Sequence, residues 1–325
     1  MNSSIISKVN QFAKAHQPFL LIIDFDMQKP LLFTEEDLVK EKIFFQTGIA
    51  SNTNRKTKKL ENFSFNAEPL PYSTYKAAYD KVQTHIKNGD TFLINLTFPT
   101  PVKTDLSLES IYNISDAPYK LLYKDEFVVF SPETFVSIRN GKIYSNPMKG
   151  TIDASLSGAR QLILQDVKET AEHNTIVDLI RNDLSMVSEK VSVNQYRYID
   201  EIETHARNLL QVSSEITGDL PENYLDRLGD ILFRLLPAGS ISGAPKEKTV
   251  EIIHDVEKDS RGYYTGIFAW FDGDDLDSAV MIRYIEKQNE QFIYRSGGGI
   301  TFQSDPEKEY RELIDKIYVP VTGKH

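Results

Sequence analysis

The chain has 325 residues, of which 40% are apolar and 11% aromatic, so it can bury a substantial core in one large domain or two smaller ones. Its formal net charge of −10 offers no basic field for a polyanion, and we therefore expect no nucleic-acid partner. The one basic cluster, residues 55–59, lies in a polar stretch typical of a solvated loop. The apolar run at residues 19–23 stops at Asp24, so we expect neither a secretory segment nor a membrane span, and a cytoplasmic protein.

The chain contains no cysteine. Disulfides, thiolate–zinc sites and cysteine nucleophiles are thereby excluded. Without a cysteine nucleophile, the chain cannot itself release ammonia from glutamine as cysteine-dependent amidotransferases do. The six histidines show no spacing typical of a zinc site. Any bound metal is therefore expected to be a hard cation held by oxygen atoms.

The N-terminal third alternates short apolar runs with turn-rich segments, a pattern that predicts strands and hairpins. One helix is expected over about residues 75–88, ended by Gly89. Strands are predicted next at 121–130, 135–139 and 142–144. Asn140-Gly141, between the last two, is a strong hairpin signal.

The rest of the chain mixes predicted helices with predicted strands. Helices are expected over 159–183, 224–235, 245–256 and from about Asp305, with strands over 209–215, 262–271, 277–286 and 291–296. The last helix begins either at an Asp305 N-cap followed by Pro306 or at a capping box from Ser304 to Glu307. Clustered strands with interspersed helices favour an α+β fold with mainly antiparallel sheets.

Two predicted helices carry carboxylates three residues apart, Glu169 with Glu172 and Glu309 with Glu312. This spacing places both members of a pair on one helix face. Four carboxylates on two surfaces would repel one another unless a cation intervened, and Mg²⁺ prefers such ligands. Lys316 lies one turn after Glu312. The alternative is that both pairs are solvated helix faces, where this spacing is common.

Two glycine-rich segments could bind an anion through backbone N–H groups. They are Arg295-Ser296-Gly297-Gly298-Gly299-Ile300 and Ala238-Gly239-Ser240-Ile241-Ser242-Gly243-Ala244-Pro245-Lys246. Two such loops suit a dicarboxylate. The alternative is that each is a tight turn.

Lys149 lies in the segment Asn146-Pro147-Met148-Lys149-Gly150-Thr151, sixteen residues after Glu133. Taken alone, this pattern is typical of an exposed lysine, because Pro and Gly mark turns. A strand is predicted directly before it, so we place Lys149 on a loop. Its companion motifs favour a role as a nucleophile.

Together these motifs resemble the chorismate-utilising enzymes, from about Gly89 to Lys316. The resemblance rests on Gly89-Asp90, Asn95-Leu96-Thr97, Ser131-Pro132-Glu133, Pro147 to Thr151, Glu169 through Glu172 to Leu184, Gly239 to Lys246, Arg261 to Gly266, Ile282-Arg283, Gly297 to Ile300 and Ser304 to Glu312. It implies an α+β sandwich of two mainly antiparallel sheets flanked by helices, with the site between them. We expect one catalytic domain over residues 1–325, with a shortened N-terminal portion at 1–70 and neither an amidotransferase nor a lyase domain.

The resemblance also implies ligand contacts. Mg²⁺ is expected between the two acidic helix faces and against the ring carboxylate of chorismate. The ring carboxylate is also expected to contact Gly297, Gly298 and Gly299. Tyr264 and Arg283 are expected to hold the enolpyruvyl carboxylate. Ser242 and Gly243 complete the expected substrate contacts.

Lysine at position 149 is typical of aminodeoxychorismate synthases, whereas anthranilate synthases carry alanine there. By resemblance, Lys149 attacks C2 of chorismate while Glu133 protonates the departing C4 hydroxyl, and Thr151 and Lys316 belong to the catalytic set. Ammonia then adds at C4 and expels the lysine, which gives 4-amino-4-deoxychorismate for folate synthesis. A nucleophilic lysine must be neutral, so we expect Lys149 to be desolvated when chorismate is bound.

Three positions depart from the family pattern. Leu93 stands where isochorismate synthases carry a water-activating lysine, which disfavours water addition at C2. Gln211 replaces a usual histidine, and Ala238 replaces a glycine. Anthranilate synthase and a catalytically silent subunit remain alternatives, and a separate glutamine-hydrolysing subunit is the expected source of ammonia.

Overall fold

The computed structural model describes residues 2–53, 63–202 and 208–321, without the side chains of residues 151, 168, 202 and 209. The basic cluster at 55–59 lies outside the described residues. The strands are β1 (Phe19–Ile23), β2 (Leu31–Phe33), β3 (Phe44–Gln46), β4 (Phe65–Ala67), β5 (Leu93–Thr104), β6 (Tyr119–Tyr123), β7 (Phe127–Ser131), β8 (Thr134–Arg139), β9 (Lys142–Ser145), β10 (Met148–Asp153), β11 (Glu189–Ile202), β12 (Leu209–Asp219), β13 (Gly243–Ala244), β14 (Ile267–Phe271), β15 (Leu276–Val280), β16 (Tyr284–Gln288) and β17 (Gln291–Thr301). The helices are α1 (Asn2–Lys14), α2 (Glu35–Glu41), α3 (Tyr72–Lys87), α4 (Leu108–Ile114), α5 (Ala159–Gln165), α6 (Val167–Ser185), α7 (Leu228–Leu235), α8 (Gly239–Ser242), α9 (Lys246–Val256) and α10 (Pro306–Asp315), with a 3₁₀ turn at Tyr224–Arg227.

Two antiparallel sheets pack face to face. The first has the order β10-β12-β9-β8-β15-β14-β1-β2, with β11 also paired to β12. The second has the order β13-β5-β17-β16-β7-β6-β3, with β4 also paired to β5. Between them, the rings of Phe45 and Trp270, one from each sheet, lie 4.6 Å apart. The predicted α+β sandwich of antiparallel sheets is confirmed.

The chain crosses from one sheet to the other at two places that matter for the site. Between β7 and β8 it crosses through Pro132 and Glu133, and between β15 and β16 it crosses through Met281, Ile282 and Arg283. The prediction of one strand over 277–286 was therefore wrong, because hydrophobic periodicity does not show that a strand changes sheets. Both crossings place polar side chains between the sheets.

Other predicted elements were interrupted. Residues 121–130 form a hairpin, β6 and β7, whose turn includes Lys124 with a φ of +51°. The helix expected over 159–183 is two helices, since Asp166 leaves helical geometry and caps α6 by accepting from the Glu169 N–H. Lys149 lies within β10, not on a loop, and the register of β10 against β12 shifts between Lys149 and Thr151.

Two local predictions were confirmed in detail. Arg139 pairs with Lys142 across the Asn140-Gly141 turn, in which both turn residues have positive φ. Asp305 caps α10 by accepting from the N–H groups of Glu307 and Lys308. Across the described ranges, no helix combines the length and the apolar character needed to cross a bilayer.

Candidate active site between the two sheets

A cavity of about 490 Å³ lies between the sheets and the helices α6, α8 and α10. Most of the residues predicted for catalysis, substrate binding and metal binding line it. These are Glu133, Lys149, Glu169, Glu172, Tyr264, Arg283, Gly297, Gly299, Glu309, Glu312 and Lys316. Residues separated by more than 180 positions in the chain thus meet in one place.

Lys149 points its ammonium group across the cavity from β10. Its Nζ lies 3.9 Å from Glu172 Oε2, and its side chain is 29% exposed. The same nitrogen lies 3.9 Å from the position that a Cβ would occupy at Gly299, on the opposite sheet. Lys149 is therefore positioned between the two sheets, within reach of a ligand that contacts both.

Glu133 lies at the first crossing between the sheets. The Ser240 hydroxyl donates a hydrogen bond of 2.5 Å to Glu133 Oε1. Burial raises the pKa of Glu133, and the hydrogen bond from Ser240 and the charges of Lys149, Arg283 and Lys316 oppose this shift. A carboxyl group with a raised pKa retains its proton at higher pH, which suits a general acid.

Arg283 and Tyr264 form the wall at the second crossing. Arg283 has a φ of +52°, and its buried Nε has no hydrogen-bond partner among the described residues. Burial raises the pKa of Tyr264 to about 12, so its hydroxyl remains a donor at neutral pH. A guanidinium with an unused donor beside a phenol is suited to bind a carboxylate.

The glycine segment of β17 has one edge that faces the cavity. The pairing of β16 with β17 stops at Tyr284 and Arg295, whereas β5 continues along the other edge past Gly299. Lys316 Nζ donates to the Gly297 carbonyl oxygen at 3.0 Å. The backbone of this segment is thus exposed to a ligand on the side where β16 has ended.

The four predicted metal ligands line the same cavity from α6 and α10. Glu312 accepts a 2.7 Å ion pair from Lys316, and Glu309 is only 4% exposed. A Cβ at Gly150 would lie 3.3 Å from Glu169 Oε2. These all-oxygen donors are chemically suited to a hard cation. No three acidic or histidine side chains in the described ranges are, however, assembled as a ready-made metal site.

Ser242 and Gly243 do not line this cavity. The Ser242 side chain is fully buried and its hydroxyl donates to the Ala238 carbonyl oxygen. Gly243 pairs with β5, and a Cβ there would lie 1.9 Å from the Leu93 carbonyl oxygen. Their placement gives no support to the predicted substrate contacts. Gly298 lies beside Glu309, Glu312 and Lys316, and the side chain of Thr151 lies outside the described part of the chain.

Arg261 holds part of the cavity wall, a role that was not predicted. Its buried guanidinium forms a two-bond ion pair with Glu257 and donates to the backbone carbonyls of Asn95 and Ile241. Both carbonyl-bearing residues line the cavity. Arg261-Gly262 was part of a motif, but the sequence contains no signal that pairs Arg261 with position 95.

Three further polar groups of the cavity were not assigned roles from the sequence. They are Ser240, Asn95, whose buried Oδ1 has no hydrogen-bond partner among the described residues, and Gln211, which pairs with Thr151. Ser240 and Asn95 lie inside motifs, but a motif does not show which of its side chains face inward.

The family model described as chorismate binding enzyme matches residues 19–322. The chain belongs to the chorismate-binding enzyme family. A PabA-like protein of Pasteurella multocida, described as uncharacterized, is 50% identical over 98% of both chains. An aminodeoxychorismate synthase component 1 from Bacillus subtilis is 31% identical over 84% of this chain and 60% of its own length. An anthranilate synthase component 1 from Haloarcula marismortui is 33% identical over 75% of this chain and 50% of its own length.

Solved structures of this fold class superpose on the chain as well. A structure of a Bacillus anthracis protein described as a 2,3-dihydroxybenzoate-specific isochorismate synthase covers 97% of this chain, with a TM-score of 0.70 and 21% identity. At this identity the likeness concerns the fold alone. The family accounts for chorismate as the ligand class, while its members differ in the reaction.

Proposed function

We propose that this protein converts chorismate and ammonia to 4-amino-4-deoxychorismate, as the chorismate-using component of an aminodeoxychorismate synthase. The observation that carries the proposal is that Lys149 Nζ and the Glu133 carboxyl face one cavity in a chorismate-binding fold. A lysine nucleophile and a protonated carboxyl are the two groups that this substitution chemistry requires. The comparisons do not separate the reaction from anthranilate synthesis.

In the proposed mechanism, the ring is held between Lys149 and Glu133. Arg283 and Tyr264 orient the enolpyruvyl carboxylate, and the backbone of Gly297 and Gly299 contacts the ring carboxylate. The Lys149 amine forms a bond to C2 while both conjugated ring double bonds shift and the C4–O bond breaks. Glu133 gives its proton to the departing oxygen, which leaves as water.

The second half of the proposed reaction releases the lysine. Ammonia forms a bond to C4, both ring double bonds shift back, and the C2–N bond breaks with its electrons returning to Lys149. The amine at C4 keeps its third proton as an ammonium group. Glu133 has then lost one proton that it must recover before the next cycle.

Glu169, Glu172, Glu309 and Glu312 are the proposed holders of Mg²⁺. When bound, the ion supplies positive charge that neutralises the ring carboxylate among four acidic side chains. Glu172 Oε2 lies 3.9 Å from Lys149 Nζ, so one of the proposed ion ligands also contacts the nucleophile.

Ammonia is proposed to come from a separate glutamine-hydrolysing subunit. The support is chemical, because the chain has no cysteine to attack glutamine. Free ammonium should replace that subunit in vitro. If a glutamine amidotransferase neither binds the protein nor confers glutamine-dependent activity, this part of the proposal is wrong.

The decisive experiment combines the purified protein with chorismate, Mg²⁺ and ammonium, followed by product separation before and after addition of aminodeoxychorismate lyase. We expect 4-aminobenzoate only after the lyase, and none with Lys149→Ala. Formation of anthranilate would instead establish anthranilate synthase, the alternative supported by the 33% identical relative. Unchanged chorismate would favour a catalytically silent subunit.

A further inference from the structure

A second, smaller cavity lies directly behind Glu133. It has a volume of about 30 Å³, and three of its lining residues, Glu133, Pro147 and Ser240, also line the catalytic cavity. A water molecule needs roughly 10–15 Å³. The small cavity therefore has room for a water beside Glu133.

Asp183 also lines this small cavity. Its Oδ1 is 2.9 Å from Lys246 Nζ, and the two side chains are 14% and 17% exposed, so the pair keeps limited contact with solvent. Its Oδ2 lies beside the backbone of Gly239, where a Cβ would approach it to 2.9 Å. Gly239 is the neighbour of Ser240, so the absence of a side chain lets Asp183 approach the Ser240 turn.

We propose that Asp183 returns a proton to Glu133 after each turnover, through a water in the small cavity and the Ser240 hydroxyl. Ser240 already donates its proton to Glu133 Oε1. When Ser240 passes that proton to the carboxylate, it takes one from the water, and the water takes one from Asp183. Asp183 then recovers its proton from solvent.

The proposal rests on the proposed function, in which Glu133 loses one proton per cycle and the product amine keeps its own. The charged groups that act on Glu133 are Lys149, Arg283 and Lys316, all on the substrate side, and Lys246 is the cation that acts on Asp183. Burial raises the pKa of Asp183, which increases the fraction that carries a proton to give. The relay supplies protons while chorismate or product fills the catalytic cavity.

The test compares single-turnover with multiple-turnover rates for Asp183→Asn, both followed as loss of chorismate with ammonium as nucleophile. In a single turnover Glu133 starts protonated, so the rate should match that of the wild type. Under multiple turnover the rate should fall about tenfold, less than the roughly 10²- to 10⁴-fold typical of losing the group that transfers a proton in the transition state, because reloading Glu133 is a separate step. Asp178→Asn is the matched control, because Asp178 is on the same helix, 67% exposed and outside both cavities.

Asp183→Asn leaves Lys246 without its ion-pair partner, which could disturb the structure, so a second variant controls for this effect. Asp183→Asn/Lys246→Met removes both charges, and it should show the same selective loss in multiple turnover. Equal loss in both regimes would mean that Asp183 only supports the structure, and no loss in either would mean that Glu133 is reloaded from the substrate side; each overturns the relay.

The same experiment separates the relay from the proposed function. If the wild type consumes chorismate but forms anthranilate, the aminodeoxychorismate proposal fails, and the comparison of chorismate loss still decides the relay. If the wild type consumes no chorismate with ammonium and Mg²⁺, both proposals fail.

Discussion

The catalytic cavity has two walls that are held in place differently. We call the wall that carries Lys149 and Glu133 the reactive wall, and the wall that carries the four glutamates the acidic wall. Lys149 and Glu133 are attached to strands or strand crossings, and the 2.5 Å bond from Ser240 fixes Glu133. The acidic wall, formed by Glu169, Glu172, Glu309 and Glu312, is carried by helices α6 and α10. Glu312 in this wall is 52% exposed and paired with Lys316, the residue that directly follows α10. We propose that Glu133 is already fixed before chorismate binds, whereas the exposed part of the acidic wall at Glu312 assembles around its ligands. Preorganised groups lose little free energy to reorganisation during reaction.

The largest expected effect is at Lys149. Lys149→Ala should lower kcat for chorismate consumption by on the order of 10⁴-fold or more, because loss of a covalent nucleophile removes the route. Steady-state rates with ammonium measure this. A matched control is Lys142→Ala, on β9 and half exposed, which should retain activity. Substantial activity in Lys149→Ala would show that the reactive wall works without a nucleophile.

Glu133→Gln should lower kcat by roughly 10²- to 10³-fold, the contribution typical of a general acid. Because burial raises the pKa of Glu133, the acid form should persist above the usual range of a glutamate, and activity should fall as pH rises through that raised value. A pH–kcat profile of the wild type tests the sign. If kcat instead rises with pH as Glu133 loses its proton, Glu133 acts as a base.

His173 ties the back of α6 to the first sheet through Ser214. Burial, with smaller effects from Arg197 and Lys149, lowers the pKa of His173 to about 4, below the 6.5 of an unfolded histidine. Stability is thus full above pH 6.5 and is lost as pH falls toward 4, by roughly 3 kcal/mol. Urea unfolding of wild type and His173→Gln at several pH values should show a difference that shrinks in acid.

A matched control for this effect is His16→Gln, since His16 has a side chain that is 57% exposed. Its unfolding free energy should follow that of the wild type at each pH. An equally steep loss of stability in His173→Gln would place the acid-sensitive group elsewhere. The contact between His173 and Ser214 would then contribute little to the pH dependence of stability.

The smallest expected effect concerns the acidic wall. Glu309→Gln should weaken Mg²⁺ binding in the presence of chorismate by about 10- to 100-fold, through loss of one charged oxygen ligand. Calorimetric titration measures this, with Glu307→Gln as control, because Glu307 is on the same helix and 68% exposed. Mg²⁺ binding that is as tight without chorismate as with it would contradict an acidic wall that assembles around its ligands.

The local features that the sequence predicted best depend on neighbouring residues. The Asn140-Gly141 hairpin and the Asp305 cap follow from backbone preferences of a few adjacent positions. Elements that depend on distant partners were less predictable. The run over 277–286 looks like one strand, but its two halves pair with β8 and β14 in one sheet and with β7 and β17 in the other.

The sequence alone determined the chemical inventory of the site: a lysine, an acid, four glutamates and no cysteine, in motifs whose order indicates the family. Only the tertiary structure decided which of these groups share a cavity, that Ser242 and Gly243 lie outside it, and that Ser240 and Asp183 lie behind Glu133. The physical reason is that side-chain direction depends on register and on strand crossings, which are set by packing between residues far apart in the chain. Residue types therefore predict the available chemistry, while the fold decides which groups can act together.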